Sequence, residues 1–103
     1  MAMGIPVIHT ANTGMDDFCV GWRIPSSPTP CYMATDSMDS VYTSLTRWME
    51  PDLASMCSIM RVAYETYKNN PKQYNNKRDE SIAKAREYDT KCIGKKLKEL
   101  LYE

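Results

Sequence analysis

The chain changes character near residue 50. Up to that point Pro, Gly, Ser, Thr and Met are frequent; beyond it Lys, Glu, Arg and Tyr recur at helical spacing. This division predicts strands and loops over 1–50 and helices over 51–103. With 103 residues and no internal repeat, the two parts make one small domain at most.

The helical part is read from its periodicity. Pro51 and Asp52 suit a helix start, with Pro at the first position and an acid in the first turn. Leu53, Met56, Cys57, Met60, Tyr64 and Tyr67 follow as one apolar stripe, the expected inner face of a first helix. Its methionines read as core filling rather than as a binding groove. Asn69-Asn70-Pro71 ends that helix and starts another, with Asn70 as N-cap. Tyr74, Arg78, Ser81, Ile82 and Ala85 mark the inner face of the second helix. Lys72, Lys77, Arg78, Asp79, Glu80, Lys84 and Glu87 lace its outer face, Arg78 bordering both faces. Asp89 or Thr90 caps a third helix, striped by Ile93, Leu97, Leu100 and Leu101.

Signals in the first half are shorter. Ile5-Pro-Val-Ile8 is an apolar run without alternation, as in a parallel strand buried on both faces. Pro6 fits such a strand only at its first residue. A polar loop, His9 to Gly14, closes the run. Met15 to Cys19 suits one helical turn, and Val20 to Ile24 a second short strand with Trp22 partly buried. Pro25-Ser-Ser-Pro-Thr-Pro30 reads as a surface loop, because proline enters neither a helix interior nor a central strand. Val41 to Met49 is ambiguous between strand and helix.

Charge and cysteine usage exclude several functions. Thirteen Lys and Arg balance thirteen Asp and Glu, so no global field recruits nucleic acid or an anionic membrane. The basic residues between Lys72 and Lys98 are interleaved with Asp79, Glu80, Glu87 and Asp89, which reads as a solvated helix face. No apolar run approaches the ~20 residues of a membrane span, and Met1 to Ile8 lacks the pattern of a signal peptide. Cys19, Cys31, Cys57 and Cys92 form no C-x-x-C pair and match no zinc spacing. They are expected as free thiols in a reducing cytoplasm. Gly4, Gly14, Gly21 and Gly94 are scattered, without a phosphate-loop pattern.

His9, Cys19 and either Asp16 or Asp17 can be drawn as base, nucleophile and orienter. Their spacing does not demand that arrangement, and the acid pair equally suits a helix start. No residue is therefore assigned a catalytic or metal-binding role.

Met1-Ala-Met-Gly-Ile-Pro-Val-Ile8 resembles a segment of retaining glycosyltransferases with the two-domain GT-B fold (group one, family-four-like). In that family it is a helix end, a glycine turn and a buried parallel strand of the nucleotide-sugar-binding domain. Ala11-Asn-Thr-Gly14 is similar to the loop that follows, Asp16-Asp17-Phe18 to a short acidic turn, and Gly21-Trp-Arg-Ile24 to the next strand. Trp48 to Leu53 with Met60 to Glu65, then Tyr67 to Pro71, Ala83 to Tyr88 and Ile93 to Leu97 look like the family's closing helices. The resemblance implies an α/β fold, a partial Rossmann-like sheet of short parallel strands with three C-terminal helices. Residues 1–103 would be a fragment of the GT-B C-terminal domain. It implies a nucleotide-diphosphate sugar as donor and no cofactor or bound metal. Thr13 and Gly14 would line the cleft at the carboxyl edge of the sheet.

The family's paired glutamates have no counterpart here; the second would fall just before Met1. The resemblance therefore implies a chain inactive alone, partnered by the missing N-terminal half or by further copies of itself. The first strand would lack one neighbour, an association hazard. A different expectation is a stand-alone interaction module that docks through its amphipathic helices.

Overall fold

The computed structural model describes residues 1–31 and 45–102. Among them the chain is α/β: a two-stranded parallel sheet, a two-stranded antiparallel sheet and three helices. The parallel pair is β1 (Val7–Thr10) and β2 (Gly21–Ile24), in the register Val7↔Gly21 to Thr10↔Ile24. A 3₁₀ turn, Gly14–Asp17, lies between them. The first strand thus begins two residues later than its apolar run. Pro6 stands just outside it, and His9, expected in a loop, is a buried strand residue. The Val7 N–H donates to the Val20 carbonyl (3.0 Å) and the Ala11 N–H to the Ile24 carbonyl (2.8 Å). Alternation along the ladder therefore turns Val7, His9 and Ala11 toward β2 and Ile8 and Thr10 away from it.

Gly21 is where β2 must start. Its φ is +153°, and a Cβ there would fall on the Val7 carbonyl oxygen and within 2.6 Å of the Val7 nitrogen. The strands approach so closely that only glycine fits.

The Pro25–Pro30 segment corrects the loop reading. Ser26–Pro30 is a strand, β3, paired antiparallel with β4 (Arg47–Pro51). The Cys31 N–H donates to the Thr46 carbonyl and the Asp52 N–H to the Pro25 carbonyl, both at 2.9 Å. These bonds fix the alternation of the ladder. Pro28↔Met49, Pro30↔Arg47 and Ser26↔Pro51 are then all non-hydrogen-bonded pairs. Every proline nitrogen in the pair points outward, where no ladder donor is required. The part of Val41 to Met49 that is described falls at the start of β4, so strand is the outcome there; 41–44 lie outside the described residues.

The helices are α1 (Leu53–Asn69), α2 (Pro71–Glu87) and α3 (Thr90–Leu101). Pro51 ends β4 rather than opening α1, and Asp52 is the N-cap, accepting from the Ser55 N–H at 2.7 Å. Asn70 caps α2 through the Gln73 N–H, and Asp89 caps α3, as their residue types suggest. α1 packs against β2 and α2, and its inner face is not the expected one. Ser55, Met56, Ile59, Ala63 and buried Thr66 turn inward. Leu53, Cys57, Met60, Tyr64 and Tyr67 are exposed. The inward seam is narrow, and its small residues let the helix approach the sheet. α2 turns Tyr74, Ser81, Ile82 and Ala85 inward as expected, whereas Arg78 is exposed and Lys77 is half-buried. The stripe of α3 is exposed, from 40 % at Ile93 to 75 % at Leu100. No helix among the described residues is long and apolar enough to cross a membrane.

Candidate functional site at the carboxyl end of β1

Residues from three consecutive elements converge where β1 ends. Asn12 turns the chain with a left-handed φ of +58°, a conformation asparagine tolerates better than most residues. Thr13 then caps the 3₁₀ turn. Its Oγ1 accepts from the Met15 N–H (3.3 Å) and donates to the Thr10 carbonyl (2.9 Å). Ser26 Oγ donates to the Ala11 carbonyl at 2.6 Å and ties β3 to the same loop. Gly14 is exposed, and a Cβ on it would meet open space.

Asp16 is the hub. Arg23, on β2, donates to it through both Nε (2.9 Å) and Nη2 (2.7 Å), a bidentate ion pair. The Asn12 N–H donates to Oδ2 at 2.7 Å, and His9 Nε2 lies 3.1 Å from Oδ1. The Arg23 guanidinium, helped by the Asn12 N–H and least by His9, holds the Asp16 carboxyl down at about 2. A carboxylate so fully engaged is a fixed anchor and a poor proton acceptor. It positions the His9 ring, which is buried, with Nδ1 meeting no partner among the described residues.

Cys19 does not join this group. It lines an apolar cavity of about 430 Å³ with Met1, Val7, Phe18, Ala85 and Tyr88, and no hydrogen bond links it to His9. Asp17 is not a ligand to the histidine either; its carbonyl accepts from the Tyr88 hydroxyl at 3.0 Å, which fastens the 3₁₀ turn to the end of α2. The base–nucleophile–orienter set is therefore reduced to His9 and Asp16. Thr13 and Gly14 do stand together at the carboxyl edge of the parallel pair, beside the Asp16 hub. Among the described residues no three His, Cys, Asp or Glu side chains gather as metal ligands do. All four cysteines carry free thiols.

Arg23 and Lys77 escaped a reading based on spacing. Arg23 sits in an apolar strand segment where an exposed Arg beside an acid pair is the available signal. Lys77, expected on the outer face of α2, instead reaches the Gly21 carbonyl (3.2 Å) and lies over the Trp22 ring, 5.1 Å from its centroid. Compared with known proteins, the chain matches no family model, no curated sequence and no solved structure.

Proposed function

We propose that the chain is the C-terminal part of the nucleotide-sugar-binding domain of a retaining GT-B glycosyltransferase, a partial Rossmann-like unit that contributes to holding the donor. The observation that supports this reading is the order strand, Thr-Gly loop, acidic 3₁₀ turn, parallel strand, with the loop at the carboxyl edge where such sheets take ligands. Thr13 and Gly14 line the donor side of the cleft. The Asp16–Arg23 pair holds their loop rather than touching the sugar. The chain itself supplies no catalytic group and needs no cofactor or metal for this role; the sugar would pass from its nucleotide diphosphate to an acceptor hydroxyl only in the completed enzyme.

The test is a thermal melt of the purified chain with uridine-, guanosine- and adenosine-diphosphate sugars. A ligand at a hundred times its Kd stabilises by ~2.7 kcal/mol. One nucleotide sugar should shift the melt of the natural chain, and Gly14→Val should abolish the shift without lowering the ligand-free Tm. A chain unmoved by every nucleotide sugar refutes the reading.

A second reading, an interaction module docking through its helices, is favoured by the exposed apolar stripe Ile93, Leu97, Leu100 and Leu101 on α3. It predicts a cooperative melt, no response to nucleotide sugars, and loss of partner binding when Leu97 and Leu101 become Ser.

A further inference from the structure

Strand edges decide what a short sheet can recruit, and three of the edges differ in kind. The outer edge of β2 is filled at one group: the Gly21 carbonyl accepts from Lys77. The outer edge of β3 keeps one N–H, that of Ser26, because Pro28 and Pro30 both turn their nitrogens that way. The outer edge of β1 is unpaired among the described residues, although Pro6, just before the strand, is itself buried. Ile8 N–H and C=O and Thr10 N–H point away from β2, and no described residue meets them.

We infer that this edge pairs antiparallel with β1 of a second copy of the chain, with Ile8 opposite Ile8 on a two-fold axis. The pattern of the edge is self-complementary. Ile8 of each copy exchanges N–H and C=O with Ile8 of the other. Two residues out, Thr10 faces Pro6. The Thr10 N–H donates to the second copy's Pro6 carbonyl. Pro6 has no N–H to return, and the Thr10 carbonyl, which would have received it, is already filled by Thr13 Oγ1 at 2.9 Å. The missing donor thus falls opposite the satisfied acceptor, and four hydrogen bonds form with none left over. The pairable stretch also ends cleanly. Gly4 has φ +76° on one side; Asn12, at φ +58°, has its N–H on Asp16 on the other. A two-fold contact of one patch with itself is closed. It turns two isolated pairs into one sheet ordered β2-β1-β1-β2, past the two-strand size that is marginal alone. Ile5, 60 % exposed, lies at the margin of the contact, and the net charge of zero adds no repulsion between copies. The pairing needs no nucleotide sugar and stands apart from the reading above.

The test uses the full chain. Light scattering should show a dimer fraction rising with concentration, and hydrogen exchange at the Ile8 and Thr10 amides should slow in step. Cys19 provides a native ligation junction, so residues 1–18 can be synthesised with an N-methyl group on Ile8 and joined to 19–103. That chain should weaken dimerisation by ~30-fold or more, since both central bonds are lost at once. Three outcomes would overturn the pairing: a monomer up to about 1 mM, dimerisation indifferent to the N-methyl group, or exchange protection appearing on α3 instead of β1. The exchange measurement on the unmodified chain decides the matter even where the N-methyl chain does not fold.

Discussion

The first half of the molecule and the helical half invert the relation between pattern and burial. The apolar core among the described residues, Ala11, Ile24 and Cys31, lies wholly within the first thirty-one positions, together with buried His9. Periodicity there is faint. The helices carry the clearest apolar stripes, yet Leu53, Met60, Tyr64, Tyr67, Leu97 and Leu101 are all more than half exposed, and the buried helical residues among those described are Thr66 and Ser81. A stripe states what a helix has to bury; a facing element decides whether it does. In this chain small polar residues win the contact because they let α1 and α2 come close. Thr66 and Ser81 satisfy their hydroxyls on the carbonyls of Val62 and Lys77, four residues back, at 2.8 Å each.

Substitutions can break this contrast. Gly21→Ala should have the largest effect, about 4 kcal/mol or more and loss of a cooperative melt, because a methyl group has no room against Val7. A chemical denaturation curve like that of the natural chain would disprove the close approach of the strands. Ile24→Ala, in the buried end of β2, should cost about 2–5 kcal/mol in the same measurement. Asp16→Asn sharpens the comparison through pH. The Asp16 carboxyl is held at about 2 against an ordinary 3.8, so the unfolded chain binds its proton first. The stability it contributes is present above about 4 and is lost as pH falls toward 2. Thermal melts across that window should show a shallower decline in the Asp16→Asn chain. Leu97→Ala should have the smallest effect, within about 0.5 kcal/mol, because its side chain is 54 % exposed. A loss of several kcal/mol there would mean that α3 is covered in solution.

The caps of α2 and α3 and most of the inner face of α2 were legible because capping and spacing act locally: Asn70, Asp89 and Ser81 stand where their types place them, while Pro51 ends β4 and Lys77 turns to β2 against expectation. The parallel pair and its Thr13–Gly14 loop were legible from short apolar runs separated by a polar turn. The face of α1 was not, since apolar residues surround that helix and only the nearness of β2 selects among them. Nor was β3, where the prolines recur at every second position. That spacing is the signal, because period two keeps all their nitrogens on one side of the strand. The Asp16 hub depends on contacts seven residues apart on either side, to His9 and Arg23, which follow from the parallel register and not from any local motif.

The Lys77 ammonium over Trp22 has an optical consequence. An indole's emission responds to charge at its face. Trp22 is therefore a built-in reporter of whether α2 is seated on β2. With Trp48 replaced by Phe, release of the lysine would register as a change in the colour and lifetime of one fluorophore. Detachment of helix from sheet could then be timed separately from the melting of either.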